Sequence, residues 1–504
     1  MPSIISSHAQ NNSVAYINGR VYTVNKDAAW AEAFIVDPEG KFSDVGTIKE
    51  IKAKAQKDNL IISDLRGWFI MPGIHDAHVH MLMSGIAMLS HVKLPMSGLN
   101  SDSVGEELKR GSCLCKYAHG HEEWLLGTAY EIGNFHRKSL DKAYPDTPVL
   151  TRGGAAHSAY LNTEALKWAG YAIESEKDGQ GTRYLRNERG HLTGEMAEMS
   201  MSKVLTTIPR PNLSHVKRAL RDAQYMLHRA GVTSCQEASA NSLMLHGLRE
   251  LDAEGRAEDK YTSSHCRAPS LFIASSTRAF FRSKHVDTRF VKIILDGVPL
   301  ELYYSHAGLT EDGRIEESKL FILNAHQAVQ KYDAVGMTMK IHCTGPGSTR
   351  LTLNAFEAVR KANPNGPRHE IAHCSGVHDD DYKRFEELNV NAEMSPAFLF
   401  VNPVTAASGG LMDWSFPKML KANAHTTIGS DWGAGELPNL LPCMAGIVEG
   451  LGLEAVGREK ETGSIEIGKK ANFVAVSEDL SMGDFDKARI LITWFEGEIV
   501  YEEH

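Results

Sequence analysis

Met71-Pro72-Gly73-Ile74-His75-Asp76-Ala77-His78-Val79-His80 decides how the rest of this 504-residue chain is read. An apolar, strand-like run closes there on two histidines one residue apart. Successive side chains of a strand alternate between its faces, so His78 and His80 fall on one side and can grip a single metal ion together. Two imidazoles do not complete a metal site, and the other ligands must arrive from elsewhere in the chain.

Downstream, strand-like runs alternate with helical stretches. The strand candidates are residues 231–236, 261–266, 290–295, 337–342, 370–373, 390–394 and 426–431, with helical segments such as 348–361 between them. With the opening stretch they number eight, and eight βα units close naturally into a TIM barrel, a (β/α)8 fold of the α/β class. A doubly wound open sheet competes, but no glycine-rich dinucleotide fingerprint follows a strand. Residues 95–212 interrupt the pattern between the first and second strands with helical text plus one strand-like run, 149–154. They read as an insertion near the C-terminal mouth, where barrel active sites are built.

Both chain ends are β-like. Val14-Ala15-Tyr16-Ile17, the pair Asn18-Gly19 and Arg20-Val21-Tyr22-Thr23-Val24 predict a hairpin. A strand at 33–36 and a helix at 48–55 follow. Short glycine-punctuated strands return after Thr462, so one sheet domain built from 1–69 and 463–504 is expected, flanking a central domain at 70–462.

The composition, 42% hydrophobic and 23% charged with a net charge of −9, is that of a soluble globular protein. No basic patch with interleaved aromatics points to nucleic acid, and no apolar run is long enough to span a bilayer, so neither is an expected partner. The opening MPSIISSHAQNNS lacks the pattern of a secretory signal and is expected to be a disordered leader on a cytoplasmic protein. Seven scattered cysteines form neither a disulfide framework nor a zinc ribbon, and the Cys113-x-Cys115 pair reads as incidental.

Several strand candidates carry a metal-binding or titratable side chain at or near their ends: His78, His80, Lys292, His342, His373 and Asp431. Strand C-termini of a barrel converge on one mouth, so these residues can meet around a single site. Singly, each histidine reads as a hydrogen-bonded core residue. Together they have no packing rationale. Lys292 cannot ligate a cation as an ammonium, but its carbamate with CO2 is an anionic carboxylate able to bridge two metals. As a plain amine it would be an ion-pair partner beside a mononuclear site.

Met71-Pro72-Gly73-x-x-Asp76-x-His78-x-His80, followed in order by the lysine, the two later histidines and the aspartate, resembles the amidohydrolase superfamily. Trp124-Leu125-Leu126-Gly127, Tyr144-Pro145-Asp146-x-Pro148-Val149, His157-Ser158-Ala159-Tyr160-Leu161-Asn162, Leu192-Thr193-Gly194-x-x-x-Glu198 and Gly429-Ser430-Asp431-Trp432 are similar to its YtcJ-like branch, which includes N-substituted formamide deformylases. The resemblance implies a metal-containing barrel with a β-sandwich made from both termini. By matched position it implies His78, His80, His342 and His373 as metal ligands, Asp431 as ligand and general base, and Lys292 as the bridging lysine. Two positions depart from the branch: Pro346 stands where an acidic residue is usual, and the segment between Trp432 and Gly463 lacks the usual Thr-x-x-x-Ala helix.

The expected activity is hydrolysis of a C–N bond in a small molecule, by a water activated on one or two divalent cations, zinc suiting the donor set best. Lactone hydrolysis, deamination, decarboxylation and a non-catalytic scaffold stay open, as do the number of metals and assembly as a homodimer. His157 is the expected polarising residue, Glu198 is expected on a solvated helix face, and Asp76 is expected to orient the ligand loop. Strand alternation turns Cys343 and Cys374 away from the metals.

Overall fold

The computed structural model describes residues 12–95, 98–112, 124–129, 132, 134–153, 157–254, 265–269, 279–299, 304–395, 415–433, 437–444, 460–485 and 487–503, with the backbone alone for 265–269. The leader as far as residue 11, the Cys113-x-Cys115 pair, the start of the strand expected at 261–266, and much of the segment between Trp432 and Gly463 lie outside the described residues.

Eight strands form one all-parallel sheet: β1 (Ile74–Val79), β2 (Val232–Glu237), β3 (His265–Pro269), β4 (Val286–Ile294), β5 (Thr338–Cys343), β6 (Glu370–His373), β7 (Asn391–Met394) and β8 (His425–Ile428). They are hydrogen-bonded in chain order from β1 to β8. Just past β8, Trp432 bridges back to Val79 in parallel, with the His80 amide donating to the Trp432 carbonyl and the Asp431 amide to the His78 carbonyl, each at 2.8 Å. All eight C-terminal ends therefore lie on one side. Both faces of β5 are covered. In β5, Met339, Ile341 and Cys343 pack in the apolar core with Leu353, Phe356 and Val359, while Thr338, Lys340 and His342 share the opposite, also buried, face. The helix Pro346–Ala362 supplies Leu353, Phe356 and Val359, which cover the apolar face. Pro346 opens it, where a missing N–H costs nothing.

The chain ends contribute two further sheets. One runs in the order Phe42–Gly46, Ala33–Val36, Val14–Ile17, Ile61–Asp64; the other runs Glu498–Glu502, Ile490–Phe495, Phe473–Val476, Phe69–Pro72, Arg20–Tyr22, Trp30–Ala31. They share a core in which Tyr16, Phe34 and Phe42 from the first meet Val21, Phe473 and Trp494 from the second, Phe473 stacking on Trp494 at 4.4 Å. The hairpin expected over residues 14–24 does not form. Asn18 does take a left-handed φ of 58°. However, both edges of Val14–Ile17 are occupied by Ala33–Val36 and Ile61–Asp64, so Arg20–Tyr22 crosses into the other sheet and pairs with Phe69–Pro72.

The insertion is also more β-rich than its sequence predicts. It supplies five strands of a six-stranded sheet in the order Thr182–Arg186, Leu192–Glu198, Ser158–Leu161, Val149–Gly153, Leu125–Thr128, completed at the edge by Val92–Lys93 just before it. Leu192-Thr-Gly-Glu-Met-Ala-Glu198 is rich in helix formers, and its strand state is set by partners on both edges rather than by propensity. Trp124, Leu150, Leu161, Leu166 and Met196 give this sheet a core of its own. Among the described residues no helix is long and apolar enough to cross a membrane.

Candidate metal centre

The C-terminal ends of the parallel strands bring the histidines, Asp431 and Lys292 together. The rings of His78 and His80 are 5.4 Å apart, His78 stacks on His373 at 4.5 Å, and His373 lies 4.7 Å from His342. His80 Nε2 is 3.1 Å and His78 Nε2 is 3.7 Å from Asp431 Oδ1. Lys292 Nζ sits 3.2 Å from His78 Nε2. Among the described residues two groups could each hold an ion, His78 with His80 and Asp431, and His78 with His373 and Glu393, the donor atoms of each within 4.8 Å of one another. Asp431 holds its position with a left-handed φ of 48°, uncommon for a residue other than glycine though better tolerated by aspartate than by most. Gly429 is required nearby, since a Cβ there would come within 2.5 Å of the His78 Cβ and 2.8 Å of Glu393 Oε1.

Hydrogen-bond partners assign the ring tautomers. His342 Nε2 faces the Gly297 carbonyl at 3.1 Å, which can only accept, so the hydrogen is on Nε2 and Nδ1 is unprotonated. His373 Nδ1 faces Ser395 Oγ at 2.8 Å, and that hydroxyl donates onward to Glu393 Oε1 at 2.9 Å, which places the ring hydrogen on Nδ1 and leaves Nε2 unprotonated. These two unprotonated nitrogens are 3.0 Å apart. Lone pairs that close repel unless a cation lies between them, so the donor set fits a metal ion.

The electrostatics agree. Burial, reinforced by neighbouring cationic groups, lowers His78 and His342 well below the ordinary histidine range and lowers His373 to about 3. All three are therefore neutral, the state that ligates. Burial pushes Asp431 up, but the electrostatic pull of the His80 and His373 imidazoles and of Lys292 outweighs it and holds the carboxylate below its usual range. Lys292 is lowered to about 7, chiefly by burial and then by Lys340, so an unprotonated amine is accessible near neutral pH. Asp76 is buried, and its Oδ1 accepts from the amides of His78 at 3.0 Å and Ser430 at 2.9 Å, tying the first ligand loop to the last. Cys343 and Cys374 are buried, with Sγ contacts to Thr352 Oγ1 and the Ile371 carbonyl.

The insertion reaches this cluster. His157 lies 5.6 Å from the His342 ring, and its Nδ1 bonds Glu198 Oε2 at 2.8 Å. Glu198 is not on a solvated helix face: it ends the strand Leu192–Glu198, is buried, and accepts from Ser305 Oγ at 2.6 Å. Pairing in the insertion sheet, invisible to local propensity, turns it inward. Burial alone would lower His157, yet Glu198 and then Asp431 raise it above the ordinary range.

Sequence reasoning missed Glu393 and Ser395 beside His78 and His373, and Glu237 and Ser239 beside His80. His80 Nδ1 lies 2.9 Å from Ser239 Oγ, which donates to Glu237 Oε1 at 3.0 Å. A glutamate at or next to the end of a strand, followed two residues later by serine, was the available signal.

Histidines and an aspartate gathered at the ends of parallel strands, with a buried lysine among them, define a metal-dependent hydrolase. The amidohydrolase family model matches residues 62–448, and the chain belongs to that family. The N-substituted formamide deformylase of Arthrobacter pascens is 22% identical over 553 residues, covering 98% of this chain and 99% of that protein. The YtcJ protein of Bacillus subtilis (strain 168) is 22% identical over 404 residues, covering 76% of this chain and 72% of its own length. The crystal structure of an uncharacterized metal-dependent hydrolase from Pyrococcus horikoshii OT3 superposes with a TM-score of 0.69 at 19% identity, covering 93% of this chain and 98% of that one. The resemblance carried by the motifs is thereby borne out.

Proposed function

We propose that this protein hydrolyses a C–N bond, in an amide, N-acyl or N-formyl group, of a small molecule at a divalent metal centre, zinc being the best match to the donors. The observation that carries the reading is the pair of unprotonated nitrogens on His342 and His373, 3.0 Å apart, with Asp431 and His80 beside them. Similarity along nearly the whole length of a formamide deformylase supports the choice of bond. In this reading the parallel sheet closes as a (β/α)8 barrel through Val79 and Trp432, the terminal sheets form a β-sandwich, and residues 95–212 shape the substrate site.

His78, His80, His342, His373 and Asp431 would hold the ion, and Lys292, once its neutral Nζ has added to CO2 and lost a proton, would supply a further carboxylate donor. When bound there, such an ion would supply Lewis acidity for the carbonyl and would lower the pKa of a water. Asp431, held as a carboxylate, takes the proton of the attacking water and returns it to the leaving nitrogen. His157, oriented through Nδ1 by Glu198, donates from Nε2 to the substrate carbonyl oxygen as negative charge develops there.

A panel of N-formyl, N-acyl, lactone and carboxylic substrates, assayed with metal-depleted and metal-restored enzyme, tests the proposal. Turnover of an N-formyl or N-acyl compound, lost on depletion and regained on restoration, is expected. Full turnover without metal, or turnover confined to lactones or decarboxylation, overturns it.

A further inference from the structure

The same three-residue spelling occurs twice at the mouth of the parallel sheet. Glu237-Ala238-Ser239 closes β2, and Glu393-Met394-Ser395 closes β7. Residues two apart on an extended strand point the same way, so in each copy the glutamate and serine project toward the same side. Both glutamates are completely buried, an arrangement that costs several kcal/mol unless every oxygen is engaged. Every oxygen is. Glu237 accepts from the Met81 amide at 2.7 Å, the Ser239 amide at 2.8 Å and the Ser239 hydroxyl at 3.0 Å. Glu393 accepts from the Ser395 hydroxyl at 2.9 Å on one oxygen and lies 2.7 Å from His78 Nδ1 on the other.

Each serine then meets a different histidine of the centre, Ser239 at His80 Nδ1 (2.9 Å) and Ser395 at His373 Nδ1 (2.8 Å). A hydroxyl has one hydrogen. Once that hydrogen is committed to the carboxylate, the serine oxygen can only accept from the ring, which fixes the ring hydrogen on Nδ1. We propose that Glu237–Ser239 and Glu393–Ser395 are two matched positioning pairs that impose the Nδ1–H tautomer on His80, His373 and, through Glu393 directly, His78, so that these three present Nε2 to the metal. His342 is set the opposite way by the Gly297 carbonyl. One buried carboxylate thus orients two ligands from different strands.

The two copies are not equal. Ser395 is buried, whereas Ser239 is exposed at the lip, where water can replace its hydroxyl. Glu393 also lies close enough to His78 and His373 to act as a ligand itself. Against that role, its two oxygens are already engaged by His78 and Ser395.

The inference rests on the metal-centre reading, and its test separates the two. Full-length wild-type, E393Q, S395A and S239A proteins are stripped of metal, then titrated with Zn2+ against a competing chelator, with bound metal counted by mass spectrometry. Thermal midpoints of the metal-free forms and the absorption spectra of the Co2+-saturated forms are recorded in parallel. E393Q and S395A are expected to weaken metal binding by about 10- to 100-fold and S239A by less than about 10-fold. The metal-free midpoints should stay near wild type, and the saturated Co2+ spectra should keep their shape. Should E393Q fail to fold, S395A and S239A, each lacking one hydroxyl, carry the test. Wild-type affinity in S395A, or a lowered metal-free midpoint with unchanged affinity, overturns the positioning role. A changed Co2+ spectrum or a lost metal equivalent in E393Q makes Glu393 a ligand and overturns it too. Wild-type protein that binds no metal overturns the metal centre itself.

Discussion

His342 Nδ1 and His373 Nε2 stand 3.0 Å apart at the ends of adjacent strands, although each ring's hydrogen is already directed elsewhere, to the Gly297 carbonyl and to Ser395 Oγ. Two nitrogen lone pairs facing each other in a buried site make an arrangement that a cation completes. The catalytic account follows from what surrounds that pair.

Among the described residues Asp431 is the carboxylate placed against both His78 and His80, and its neighbours keep it ionised. Asp431→Asn keeps an oxygen donor but removes the base. Its kcat should fall by about 10²- to 10⁴-fold while part of the metal is retained. Activity within threefold of wild type on a metal-loaded sample would remove Asp431 from the proton-transfer role.

Lys292 is lowered to about 7 by burial and by Lys340, so its amine becomes mostly neutral as the pH rises through that value. Carboxylation needs the neutral amine. Incubation with 13C-labelled bicarbonate should give a carbamate resonance that strengthens between pH 6 and 8 and is absent in Lys292→Arg. A lysine that stays unlabelled at pH 8, with metal bound, would leave Lys292 as an ion-pair partner.

His157 owes its orientation to Glu198, which Ser305 also holds. His157→Asn should lower kcat/KM by about 10²- to 10³-fold, as for loss of one donor to a developing oxyanion, with bound metal unchanged. Metal loss in that variant would instead assign His157 to the ion.

Outside the centre, burial lowers His228 to about 4, and burial together with Arg360 lowers His369 to about 4. Both titrate near 6.5 when unfolded. The unfolded chain therefore binds more protons as the pH falls from 6.5 toward 4. The stability these neutral rings contribute is complete above 6.5 and is lost on acidification, at about 1.4 kcal/mol per pH unit for each ring. His228→Leu should flatten this limb, so its thermal midpoint should gain on wild type as the pH falls from 7 to 5. A constant difference across that range would contradict the assignment.

The strand ends bearing His78, His80, His342, His373 and Asp431 were legible because a polar side chain closing a buried run has no packing purpose. The turn at Asn18-Gly19 was legible as a turn but not as a hairpin, because the edge occupancy of Val14–Ile17 is decided by Ala33–Val36 and Ile61–Asp64. Glu198 was misplaced for a related reason: Leu192–Glu198 is a strand only through its partners. Glu393 and Glu237 escaped notice because a lone glutamate in a strand reads as a surface residue until the three-dimensional structure buries it beside a histidine.

X-ray diffraction from crystals of the metal-loaded enzyme, collected on both sides of the zinc absorption edge, tests the central claim most directly. The account predicts an anomalous peak within ligand distance of His342 Nδ1 and His373 Nε2, with His78, His80 and Asp431 around the same centre. An ion bound elsewhere, or no peak between those two nitrogens in a protein that turns over substrate, would contradict it.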